Sequence, residues 1–103
     1  MASSPTVGRT VLYRLSEQDS RDINRRRRDF EHRTPVLDGT GFVGRVGNSA
    51  AEGQVCAATV VRVWNESTDA VNLQVHLDGN DILWATSRSQ GDDPGQWAWP
   101  EVS

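Results

Sequence analysis

Four consecutive arginines, Arg25 to Arg28 in the stretch INRRRRDF, are the residues of this chain whose type and spacing most invite chemistry. A guanidinium pairs bidentately with phosphate or carboxylate, so a run of them is what an anionic ligand or partner would need. Four tryptophans, Trp64, Trp84, Trp97 and Trp99, are the second unusual feature. Exposed rings beside arginines suit stacking on bases or on another chain. Each feature also has a plainer reading. Successive helical residues point about 100° apart, so four arginines in a row cannot all meet one ligand. Asp22 and Asp29 can pair with several of them at helical spacing, which gives a solvated, salt-bridged face. The rings can fill a small core, a role expected of Trp64 and Trp84, while at least one of Trp97 and Trp99 is expected to be half exposed.

Catalytic and metal readings fail on inventory. His32 and His76 belong to different elements, and HRT at His32 is a single copy where two-histidine phosphodiesterases need a pair. The serines and Cys56 have no recognisable base partner, and Asp78 and Asp81 flank Gly79 as a hairpin would. The four-ligand pattern of a structural zinc site is missing, and Cys56 is the one cysteine. The expectation is a non-enzyme without a cofactor or metal. A weak alternative for phosphate binding is a backbone nest in GRVGN, residues 44–48.

These residues must be positioned by a chain of 103 residues with 36% hydrophobic and 24% charged residues and a net charge of -3. That length allows one domain with a small core, and self-association would bury more. All eleven basic residues are arginine, which favours bidentate anion recognition but follows equally from GC-rich codon usage. A pI near 5.2 argues against a long nucleic acid as partner. No stretch approaches the roughly 18 to 20 apolar residues that span a bilayer, and MASSPTVGRT lacks the apolar centre of a secretory signal. A soluble, cytoplasmic protein is expected.

Along the chain, Val7 to Leu15 alternates as a strand, with Val7, Val11, Tyr13 and Leu15 on one face. Ser16 and Asp19 resemble a capping box. Acids at the start and arginines at the end complement the dipole of a helix over about 17–31, on which Ile23 and Phe30 pack down and Arg27 shares their stripe. Residues 34–54 read as a long glycine-rich loop tacked down by Phe42 and Val43. A β meander over 55–99 follows. Val55 to Trp64 is a nearly continuous apolar run, as in a central strand covered on both faces. Val71, Leu73, Val75 and Leu77 alternate inward, with Asn72, Gln74 and His76 outward. DGND turns the chain through Gly79 and Asn80, which tolerate positive φ, into Ile82–Ser87. Trp97 and Trp99 share a face at the end. The fold class is mainly β (α+β): one domain over 1–103, either a strongly bent small sheet or an SH3-like barrel, with one helix after the first strand.

The stretches VLYRLSEQDSRDINRRRRDF, GNSAAEGQVCAATVVRVW, VNLQVHLDGNDILWATS and PGQWAWP together resemble a family of small proteins of tailed phages and prophages. Its members read VHYVLSxxDAxxINRRR, FPAxIVRVW, LDGNDxxWxTS and PGTWHWP in the same order. The chain departs at Ala98, where the family often has His, and at Cys56-Ala57, where it often has Phe-Pro. The resemblance implies a phage origin and action in the cytoplasm of an infected bacterium. It assigns no activity. Among the roles open to small β-rich phage proteins, the arginines, rings and amides favour an anti-defence protein that binds and sequesters a nucleotide second messenger of immunity, of the cyclic oligonucleotide or cyclic ADP-ribose type, without cleaving it. The alternatives are an accessory virion or assembly protein and an inhibitor that binds a host protein. Sequestration needs arginines for phosphate, aromatics for bases, amides for base edges and a homo-oligomer to seal the pocket. The candidate ligand-binding residues are Arg25, Arg27, Arg28, Tyr13, Asn80, Trp84, Trp97 and Trp99.

Overall fold

The computed structural model describes residues 4–33 and 47–100. The elements run β1 (Thr10–Arg14), α1 (Glu17–Arg33), β2 (Val55–Val63), β3 (Val71–His76), β4 (Ile82–Arg88) and β5 (Trp97–Ala98). The fold is mainly β, with one helix after the first strand. The strands form a single antiparallel sheet in the order β4-β3-β2-β1-β5. β4 and β5 end the strand order, and just beyond β4 the chain turns back to β5, where Gln90 bridges Trp97, so the sheet is strongly bent and its two ends meet at that point, as a bent sheet or small barrel requires.

Opposed residues of antiparallel strands share a face, and the register divides this sheet cleanly. Val11 opposes Ala58 and Tyr13 opposes Cys56; Ala58 opposes Val75, and Val60 opposes Leu73. Leu73 opposes Ala85, and Tyr13 opposes Trp97 on its other side. These residues, with Leu15, Val71 and Ile23 of the helix, make the buried core. The other face carries Thr10, Thr59, Gln74 and Trp84 in one row, and Leu12 between Ala57 and Ala98.

The helix begins as its sequence dictates. The Ser16 hydroxyl accepts from the Asp19 N–H at 3.0 Å, and Asp19 Oδ2 accepts from the Ser16 N–H at 3.0 Å. This reciprocal capping box satisfies two otherwise orphan donors. Asp19 is buried and does more: Oδ2 also accepts from the Tyr13 hydroxyl at 2.5 Å, and Oδ1 lies 3.4 Å from Arg88 Nη2. One carboxylate thus ties the start of the helix to β1 and β4. The helix ends at Arg33, two residues before Pro35, which lacks an N–H and disfavours helical backbone at the residue before it.

Several sequence expectations change. Val7 and Phe30 are exposed, at 66% and 52%; β1 starts only at Thr10, and Phe30 lies beyond the part of α1 that covers the sheet. β2 is central but buried on one face, because no second layer covers Val55, Ala57 and Val61. Trp64 and Trp84 are outside the core, Trp84 because its partner Gln74 is on the uncovered face. Trp97 is the core tryptophan, with Nε1 donating to Asp69 O at 3.0 Å, and Trp99 packs partly buried against it. The β3–β4 turn needs no positive φ at Gly79 or Asn80; beyond three glycines, the one described residue with positive φ is Ser87 at 52°. Ser87 sits where the β3–β4 register shifts, and its N–H donates to Asn72 Oδ1 at 2.8 Å. That bond explains why Asn72 is buried at a position that alternation assigns to solvent. Phe42, Val43 and the 44–46 part of the nest lie outside the described residues.

Candidate functional site

The arginine run is divided among different tasks. Arg25 is exposed and pairs with Asp22 at 2.9 Å, three residues back on the same helix. Arg26 crosses to Asp81 Oδ2 at 3.0 Å and to the Ile82 carbonyl at 3.1 Å. Arg27 is buried, with Nη2 2.7 Å from Asp81 Oδ1 and Nε 3.1 Å from Oδ2, a bidentate fork, and it also donates to Asn48 O. Burial pushes the Asp81 carboxyl upward, but the hydrogen bonds and charges of Arg27 and Arg26 outweigh that and hold it below its ordinary 3.8. Arg27 is therefore a structural clamp between α1 and the β3–β4 turn. Gly47 closes the same corner: an added Cβ would run into the Asp78 carbonyl and Gly79 Cα.

Arg28 is exposed and borders a cleft of about 320 Å³ with Arg27, Asn24, Glu31, Asn48 and Ser49. Asn80 lies beside Arg26, Arg27 and Phe30 at a smaller apolar recess. Tyr13 and Trp97 are enclosed in the core, where no ligand reaches their rings. Burial first, then the hydrogen bond to Asp19, drives the Tyr13 hydroxyl far above its ordinary value of 10. Trp84 is on the sheet face opposite the helix, and Trp99 is at the β5 edge. The eight expected site residues therefore do not converge. The arginine run and the exposed ring of Trp84 are on opposite sides of the sheet.

A second cleft, of about 300 Å³, does bring a guanidinium and a ring together. Its floor is the uncovered face: Leu12 and Arg14 from β1, Val55 from β2 and Ala98 from β5. Its walls are Trp99 and the β4–β5 connection at Gly91, Asp92 and Gln96. That connection folds back on itself through Gly91 N–H to Trp97 O at 2.8 Å and Trp97 N–H to Ser89 O at 3.1 Å. The Arg14 backbone is fixed by the segment that leads into β5: its N–H donates to Gln96 O at 3.1 Å and its carbonyl accepts from the Gly95 N–H at 2.7 Å. Its Nη1 donates to Gly53 O at 3.1 Å, leaving the rest of the planar fork to offer. Gln96 Oε1 accepts from the Asp93 N–H at 3.1 Å, so its NH₂ is the group it can present. Trp99 is held edge-on to Trp97, centroids 5.3 Å apart, with Arg9 over its ring at 4.8 Å. Its Nε1 is buried without a partner among the described residues.

Arg14 and Gln96 carried no signal in the sequence reading. Arg14 is a single arginine in an alternating strand, and what makes it interesting is a fold-back some eighty residues later in the chain. Nucleophilic chemistry gains nothing from the structure: burial, reinforced by the Asp78 charge, raises the Cys56 thiol above its ordinary 9. Among the described residues no three His, Cys, Asp or Glu side chains gather as metal ligands would, and no helix is long and apolar enough to cross a membrane. No known protein family, no curated protein and no solved structure matches the chain.

Proposed function

We infer that the protein is a non-catalytic binding protein for a nucleotide-type anion, seated in the cleft of Arg14, Gln96 and Trp99 instead of on the arginine run. The observation that carries this reading is the convergence of a guanidinium, a primary amide and an indole on an apolar floor. These are the groups that read a phosphate, a base edge and a ring. A volume near 300 Å³ is at the small end of ligand sites, enough for about one nucleotide unit. The carboxylate of Asp92 on the rim disfavours phosphate at that end and suits the exocyclic amine of a base, which assigns the phosphate to Arg14. In a phage setting, capture without cleavage would remove a nucleotide signal from the host's immune response.

Calorimetry against cyclic di- and trinucleotides and cyclic ADP-ribose isomers tests it. Binding is expected for at least one compound. Arg14→Ala and Trp99→Ala should each weaken it roughly tenfold to a hundredfold, the value of a charge-assisted hydrogen bond or a base–aromatic stack. Arg28→Ala should change it less than about twofold, since a surface charge outside the site acts only through screened long-range attraction. No binding across the panel overturns the reading. A loss confined to Arg28→Ala would move the seat to the helix-side cleft.

A further inference from the structure

The two edges of the sheet are finished differently. β5 is two residues long, Pro100 stands two residues after its end, and the backbone of Ser89 and Gly91 already bonds Trp97, so it offers little backbone to another strand. β4 runs seven residues, and from Ile82 to Ser87, ILWATS, it has no charge and no proline. Natural edges of that length are normally blunted by charges, prolines or bulges. Here such features stand only at the two ends. Arg26 caps the Ile82 carbonyl at 3.1 Å, and Ser87 leaves the strand conformation with φ 52°. Between them is a short edge of β-branched and aromatic residues, whose open-face side chains Ile82 and Trp84 are 44% and 65% exposed.

We propose that β4 pairs antiparallel with β4 of a second copy of this chain, joining two sheets into one about a two-fold axis at Trp84. Geometry restricts the register. A two-fold perpendicular to a sheet preserves its faces, and opposed residues share a face, so only residues of equal parity can oppose each other. The axis therefore passes through a residue, never between two. The segment bounded by the Arg26 cap and the Ser87 kink is Ile82–Thr86, whose middle residue is Trp84. In that register Trp84 faces its own counterpart on the uncovered face, Ile82 faces Thr86, and Leu83 faces Ala85 on the helix side. The contact covers the two most exposed apolar side chains of the strand and places no charged side chain opposite another. The edge is neutral and in this register self-complementary, so a second copy covers both exposed apolar side chains without burying any unpaired charge, which is why a second copy is the occupant. A five-residue strand pair with two tryptophans lies at the low end of specific interfaces, below about 1,200 Å², so the dimer should form at micromolar concentration. This inference does not depend on the nucleotide reading.

The test is sedimentation velocity from about 1 to 200 µM, combined with cysteine crosslinking. The wild type should shift from monomer to dimer across that range, and Trp84→Lys, which sets two like charges across the axis, should remain monomeric with an unchanged circular dichroism spectrum. Opposed antiparallel residues have Cα atoms about 4.5 to 5.5 Å apart, within disulfide reach. Trp84→Cys should therefore crosslink under mild oxidation at least tenfold faster than Gln74→Cys, which is on the same face one strand inward. A wild type that stays monomeric at 200 µM overturns the proposal. So does equal crosslinking of the two variants, or a dimer that survives Trp84→Lys and is lost in Leu12→Lys, which would mean face-to-face stacking.

Discussion

The covered and uncovered faces of the sheet use the same strands to opposite ends. On the covered face the core is apolar and its polar groups are drawn together: Asp19 holds Tyr13, Ser16 and Arg88 at once, with Arg88 Nε left without a partner among the described residues. On the uncovered face apolar and polar residues are mixed, Leu12, Val55, Ile82 and Trp84 among Thr59, Gln74 and His76, with Thr59 Oγ1 2.9 Å from His76 Nε2. A face that only had to be wet would not carry Trp84 and Leu12. The comparison teaches where to look for function: the helix side, for all its arginines, is occupied with holding itself together, while the helix-free side retains groups with no evident structural task.

The sharpest way to break that contrast is a charge on each face of one strand. Leu73→Asp buries an unpaired carboxylate in the core and should unfold the domain, an effect above about 4 kcal/mol. Gln74→Asp, its neighbour on the other face, should leave the thermal midpoint within a few degrees. Circular dichroism melts of the two variants decide it, and a folded Leu73→Asp protein would mean that the faces are reversed.

The next effect is smaller and separates two arginines of the same run. Arg27→Ala leaves Asp81 half buried without its fork and should cost about 3 kcal/mol. Arg25→Ala removes an exposed pair with Asp22 and should cost no more than about 0.5 kcal/mol. The pH dependence follows from the lowered Asp81 carboxyl. A depressed acid contributes stability that is fully present above its unfolded value near 3.8 and is lost as pH falls through the lower folded value. Urea melts of wild type and Arg27→Ala should therefore differ at pH 6, begin to converge as pH falls past about 3.8, and meet only below the lower folded value. A gap that persists in acid would show that Arg27 acts through packing alone.

That pair of arginines also shows how far the sequence could be read. Helical periodicity puts Arg27 on the stripe of Ile23, and the structure buries both. Its partner Asp81 is 54 residues away, and no local spacing announces it. Alternation in Val71–Leu77 was legible because one face is apolar and the other polar. In β2 it was hidden, because Val55, Ala57 and Val61 make the uncovered face apolar too, so a strand buried on one side read as one buried on both. The capping box was legible from two residues; that its aspartate also accepts from Tyr13 depends on the sheet lying under the helix. The tryptophans were misassigned for a similar reason. Ring size argues for burial, but register decides it, and register put Trp97 opposite Tyr13 and Trp84 opposite Gln74.

Tyr13→Phe weighs the lock on the covered face. The substitution keeps the ring in the core and removes one hydrogen bond to a buried carboxylate that still has Ser16 N–H and Arg88. The expected loss is about 1 to 2 kcal/mol, read as a shift in the urea midpoint with an unchanged slope. The Tyr13 hydroxyl, raised by burial and by Asp19, stays protonated throughout the neutral and mildly alkaline range. Wild type and variant should therefore differ by a constant amount from pH 6 to 9. A difference that shrinks on the alkaline side would mean that solvent reaches the hydroxyl and that the lock opens.

The smallest effect belongs to the uncovered face and is informative because it is small. Trp84→Thr exchanges an exposed ring for a good strand former at the centre of an edge strand. Within one copy the ring contributes only its cross-strand contact with Gln74, and such pairs are worth about 0.2 to 1 kcal/mol. Below about 1 µM, where the chain is expected to be monomeric, thermal melts of variant and wild type should coincide within a degree or two. At a hundred times that concentration the wild type should melt higher and the variant should not, since association stabilises only the chain that can pair. A ring whose removal costs several kcal/mol in the monomer would instead have a structural task, and the division of labour between the two faces would fail at the residue that best represents it.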